Sequence, residues 1–143
     1  MCYVLRVMCH VLVEKIIMET TTMEYKNYKF DFEQLDVYQK ALDFTNEIFS
    51  ITLGFQREIQ YSLGDQFRRA ALSVCNNIAE GSRKTQRGRK QFYDYALDSA
   101  RECIPMISLS VKQRQISQEK EEFFRGECVH ICNMLYRLIQ SIK

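Results

Sequence analysis

The chain has 143 residues, 46% of them hydrophobic and 27% charged, with a net charge of +2. That length accommodates one domain with a sizeable core. So small a net charge does not by itself imply a nucleic-acid or membrane partner. One proline and five glycines are too few for a many-turned β fold and favour long helices.

Residues 1–29 read differently from the rest. Residues 3–17 are apolar, yet Arg6, His10, Glu14 and Lys15 exclude a membrane span, and the ordered regions of a signal peptide are missing. Thr20, Thr21 and Thr22 look like an unstructured lead-in, and Met18 and Met23 are plausible alternative starts to Met1. The expectation is a poorly ordered or over-extended segment over 1–29, followed by one domain over 30–143. Six cysteines without a C-x-x-C pair read as reduced thiols of a cytoplasmic protein. Cys128 and Cys132 are one helical turn apart, but His130 points away from them, so packing is favoured over a metal site. No cofactor is expected.

Four helices are predicted, over residues 32–53, 57–80, 85–114 and 117–142. The first carries an apolar stripe of Val37, Ala41, Phe44, Ile48 and Ile51, widened by Tyr38, Leu42 and Phe49, and ends at Gly54. The second steps through Leu63, Phe67, Ala70, Val74 and Asn77 to Gly81, which reads as its stop. Its small residues suit close approach by a neighbour. The third has Phe92, Ala96, Ser99, Cys103 and Met106 on its seam, and Pro105 inside it should kink it. Ser117 is a good N-cap for the fourth, whose seam is Phe124, Cys128, Ile131, Leu135, Leu138 and Ile142. Short connections predict an antiparallel up-down-up-down four-helix bundle.

Charge is segregated along this pattern. Between Gln66 and Lys90 stand seven cations against the single Glu80, a segment charge of +6 in a chain of +2. Arg83 and Lys84 follow the end of the second helix, where cations are favoured. Arg87, Arg89 and Lys90 occupy the first turns of the third, where the helix dipole disfavours them. With the free amides of that helix start, these five residues form a candidate nucleic-acid or phosphate site, with Tyr93 and Tyr95 near enough to stack. The competing reading is a solvated basic loop.

The second helix also holds polar residues on its packing face. Asn76, Asn77 and Glu80 form either a polar binding site or, as favoured here, a hydrogen-bond network that sets helix register. Arg68 and Arg69 could pair with Glu102 on the third helix or with another subunit. Gln66, Arg68, Arg69, Asn77, Glu80, Gly81 and Glu102 are therefore assigned to a structural network or subunit interface. The sequence holds no H-E-x-x-H, P-loop or G-x-S-x-G pattern, and a Glu80–Glu102 pair beside arginines reads as salt bridging rather than catalysis.

Three stretches carry a family resemblance: Leu35-x-Val37-Tyr38-Gln39-Lys40-Ala41, Gln66-x-Arg68-Arg69-Ala70-Ala71 and Asn77-Ile78-Ala79-Glu80-Gly81. Over residues 30–142 the chain resembles the bacterial four-helix bundle proteins first noticed as products of intervening sequences in 23S ribosomal RNA genes. The resemblance implies a cytoplasmic homopentamer without an established activity, for which RNA or DNA binding is suspected. Its pattern falls here on Gln66, Arg68, Arg69, Asn77, Glu80, Gly81 and Arg83. Tyr38 stands where tryptophan is frequent, Cys75 and Asn76 replace a small or apolar pair, and Gly88 and Pro105 bear on the shape of the third helix. Two functions compete: an oligomeric module binding nucleic acid through its basic end, and a homo-oligomeric scaffold for protein partners. A small enzyme using Glu80 and Glu102 is disfavoured, because no nucleophile–base pair accompanies them.

Overall fold

The computed structural model describes residues 13–15 and 28–143, and the chain divides into two units between Phe30 and Asp31. In the first unit Val13, Glu14 and Lys15 are helical, and the rings of Tyr28 and Phe30 meet edge to face at 5.1 Å. The expectations about the other residues of the 1–29 segment lie outside the described residues.

The second unit is helical, with no strand among the described residues. A 3-10 turn, Asp31–Gln34, leads into α1, Asp36–Leu53. Helix α2 is a composite of an α-turn Arg57–Ile59, a π segment Gln60–Gly64 and the α-helical stretch Asp65–Ser82. Helix α3 is Gln86–Lys112 and α4 is Gln118–Ser141. Packing runs in a closed circuit, α1 on α2, α2 on α3, α3 on α4 and α4 on α1, with the α2–α3 contact the most extensive. Phe44 and Ile48 from α1, Phe67 and Ile78 from α2, Ile107 from α3, and Phe124, Ile131 and Leu135 from α4 are fully buried at its centre.

Local signals set the helix ends. Ser117 Oγ accepts the Lys120 amide at 3.2 Å, as its N-cap position predicts. The end of α3 closes differently. Arg114 adopts φ 56°, while the Gln115 amide donates to Ser110 O and the Arg114 amide to Val111 O, each at 2.8 Å. This is the glycine-type helix closure with an arginine in the left-handed position. Pro105 lies exposed inside α3, which continues through it as one helix.

Three packing details differ from the sequence expectations. The stripe of α1 is narrower than predicted, since Leu42 and Phe49 are 43% and 40% exposed. On α3 the core takes Tyr93 and Ile107, with the predicted Phe92 and Met106 half-buried beside them. Gly81 does not stop α2. The helix continues to Ser82, and the glycine is buried because a Cβ there would lie 2.9 Å from Tyr93 Cε1 and 3.0 Å from Phe92 Cβ. Gly81 is the gap into which α3 packs.

Candidate nucleic-acid interface

The turn between α2 and α3 gathers the predicted cations, but they have different surroundings. Arg83, Lys84, Arg87 and Lys90 are exposed. Lys84 pairs with Glu80 at 3.2 Å across one helical turn, and its ammonium sits 5.2 Å from the Phe92 ring centre. Thr85 caps α3, its hydroxyl accepting the Gly88 amide at 3.5 Å. Arg89 departs from the other four. It is half-buried, and its Nη2 donates to Ser82 O at 3.2 Å. That carbonyl lies in the last turn of α2, where acceptors lack helical partners. Arg89 therefore ties the two helices together, and its Nε is buried with no hydrogen-bond partner among the described residues.

Of the two candidate stacking rings, Tyr95 is 46% exposed and Tyr93 only 3%. Tyr95 accepts the Gln91 amide at 2.7 Å and meets Phe92 edge to face. Burial pushes the Tyr93 hydroxyl above its ordinary range, against a smaller lowering by the Arg89 charge. Adjacent positions on a helix differ by about 100° in direction, which separates the second of these rings from the first by more than half a turn.

Further along α2 the polar residues divide into groups. Asn77 Nδ2 donates to Ser73 O at 2.8 Å and to Ser73 Oγ at 3.1 Å. Ser73 Oγ lies 3.0 Å from Ser99 Oγ, which in turn donates to Tyr95 O at 2.9 Å. This chain of hydrogen bonds spans the α2–α3 contact. Asn76 is exposed and Glu80 turns to Lys84, so neither joins the network with which sequence reasoning grouped it. Ser73 and Ser99 are the members it missed. Their signal was the four-residue spacing from Ser73 to Asn77.

Arg68 and Arg69 diverge as well. Arg68 turns toward α1, where Nη1 donates to Thr52 Oγ1 at 3.0 Å and Nη2 to Gln60 O at 3.4 Å. Asp65 lies 3.5 Å from it. The proposed Arg68–Glu102 pairing is thus replaced by contacts on the opposite flank of α2. Arg69 does face α3, where Gln66, Arg69, Ser73 and Glu102 line a cleft of about 430 Å³. On α4, Cys128 is buried in the core, Cys132 half-buried and His130 exposed. No group of residues able to hold a metal occurs among the described residues. Nor is any helix among them long and apolar enough to cross a membrane.

Residues 33–137 match the family described as 23S rRNA-intervening sequence protein. A solved structure from Bacteroides thetaiotaomicron VPI-5482, a protein with unknown function from the S23 ribosomal protein family, is similar to this chain. The two share 21% identity with a TM-score of 0.68, over 73% of this chain and 96% of that one. At that identity the likeness shows the fold alone. No curated protein matches the chain.

Proposed function

The chain belongs to the 23S rRNA-intervening sequence protein family, and from that premise we propose a non-enzymatic, homo-oligomeric helical module whose α2–α3 end binds RNA or DNA. One observation carries the reading. Arg83, Lys84, Arg87 and Lys90 stand exposed on one turn, and no acidic residue interrupts the chain between Gly81 and Tyr93. Among the described residues, only Lys84 of the four has a carboxylate partner, Glu80, and that pair is exposed and so weak. The surface offers a polyanion a cluster of largely uncompensated charge, and phosphate binding there would release condensed counterions.

The proposed arrangement is an antiparallel up-down-up-down four-helix bundle. Two contacts support it. The Gln56 amide, between α1 and α2, donates to Gln115 Oε1, between α3 and α4, at 2.8 Å. Leu35, before α1, shares a cleft with Gln86 at the start of α3 and with Ile142 after α4. The α2–α3 turn then lies at the end opposite the other two turns. A cytoplasmic pentamer of such bundles, as the resemblance implies, would repeat the basic end around a ring and bind one strand at several points.

The test is a titration of structured RNA against the wild type and a variant with Arg83, Lys84, Arg87 and Lys90 all replaced by glutamine. Binding should be lost in the variant at physiological salt. Unchanged affinity would remove the turn as the site. The scaffold reading draws on a different observation: Leu42, Phe49 and Leu53 of α1 and Leu72 of α2 are 40–69% exposed, apolar side chains that a partner could cover. Native mass measurement distinguishes the readings, because it reports subunit number and co-purifying nucleic acid together. A pure oligomer without nucleic acid would favour the scaffold.

A further inference from the structure

Beside the basic turn lies a cleft of about 370 Å³. Its apolar walls are Leu35, Leu138 and Ile142, and its polar side is a stripe of α3 formed by Gln86, Arg89 and Tyr93. The polar side is not satisfied internally. Arg89 Nε is buried with no partner among the described residues, although the same guanidinium is anchored through Nη2 to Ser82 O. Gln86 is exposed and Tyr93 buried, and among the described residues neither side chain makes a hydrogen bond, so Arg89 Nε is the buried polar atom left unpaired. Buried polar groups in folded proteins are ordinarily paired. Apolar walls with a few convergent polar groups are the usual composition of a small-ligand site.

The position of the cleft narrows its ligand. Lys90 is exposed and lies four residues beyond the cleft-lining Gln86, on the same face of α3, so a polyanion held by it passes the mouth of the cleft. A duplex presents phosphates and groove edges to such a surface, its base faces being hidden by stacking. An unpaired strand can turn a base inward, where every base has an apolar face and a polar edge. Resting on the proposed basic-end reading, we infer that this cleft receives one unpaired nucleobase of a single strand. Leu35, Leu138 and Ile142 enclose the base, Gln86 and Tyr93 meet its edge, and Arg89 meets the adjoining phosphate. The module thereby selects single-stranded over double-stranded nucleic acid. The base and the phosphate are common to RNA and DNA.

Fluorescence anisotropy with the full chain tests this, using one sequence as single-stranded RNA, single-stranded DNA and the duplex of each. Ser141 is exposed at the cleft edge, and Ser141→Trp is designed to fill the cleft while leaving every core residue and exposed cation unsubstituted. The wild type should bind at least one single strand about tenfold more tightly than its duplex, as expected for one enclosed base. S141W, melting as the wild type does, should lose that preference and keep its duplex affinity. A 2-aminopurine in the strand should be shielded from iodide by the wild type and not by S141W. Equal wild-type affinity for strand and duplex overturns the cleft assignment and leaves the basic end standing, as does a preference that survives in S141W. Absence of binding to every probe at low salt overturns both.

Discussion

Gly81→Ala gives the sharpest test of how α3 is seated on α2. In an unobstructed helix, replacing glycine by alanine stabilises by about 1 kcal/mol through the backbone entropy of the unfolded chain. At Gly81 the added methyl would meet Tyr93 Cε1 at 2.9 Å, Phe92 Cβ at 3.0 Å and Tyr93 Cδ1 at 3.1 Å. The tyrosine ring is buried and the Phe92 Cβ is fixed to the α3 backbone, so relief requires the two helices to part. Forcing a methyl into such a contact costs roughly 1–3 kcal/mol, leaving a net effect from about zero to about 2 kcal/mol destabilising. Gly126, within α4, provides the control, since a Cβ there would have nothing within 4 Å. Gly126→Ala should therefore show the full gain. Urea unfolding of the two variants should separate them by about 1–3 kcal/mol, or several degrees in melting temperature. If G81A proves as stabilising as G126A, the close α2–α3 approach described above is wrong.

Arg114→Gly should stabilise by about 1 kcal/mol, because the left-handed backbone at φ 56° penalises any residue with a Cβ; thermal melts check it. Ser99→Ala should cost about 1 kcal/mol by removing a partner of Ser73 Oγ, and the double variant with Ser73→Ala should cost less than the two singles combined. The thiols predict alkaline sensitivity. Burial raises those of Cys75 and Cys132, and a hydrogen bond with Cys128, followed by burial, raises that of Cys103. Raised folded values mean that the unfolded chain loses these protons first, so stability holds below the ordinary thiol range of about 8.5 and declines as pH rises beyond it. Each thiol contributes a slope of up to about 1.4 kcal/mol per pH unit. Cys103→Ala should give a shallower decline in urea midpoint between neutral and alkaline pH.

Features governed by local chemistry were legible in the sequence. Ser117 capped its helix, and Phe124, Cys128, Ile131 and Leu135 faced the core, because a cap and a heptad seam depend on neighbours within two turns. Gly81 was misread as a helix stop for the complementary reason. A glycine near a helix end looks like a terminator, and only its neighbour across the interface, Tyr93, reveals it as a packing gap. The same packing moved the α3 core face from Phe92 to Tyr93. Arg68 was equally opaque. Its partners Thr52 and Gln60 come from another helix and from a π segment that periodicity does not reveal. At the basic turn the sequence located the cations but not their division, since Arg83 and Arg89 differ only in which way the folded backbone directs them.

The basic turn is most directly tested by the salt dependence of binding to a single-stranded oligonucleotide. Each cation engaged with phosphate contributes about 0.7 to the slope of log affinity against log salt. Replacing Arg83, Lys84, Arg87 and Lys90 with glutamine should therefore flatten that slope by close to 3, with Arg89 kept to preserve its bond to Ser82. A variant that binds with the wild-type slope would contradict the assignment of the α2–α3 end as the nucleic-acid surface.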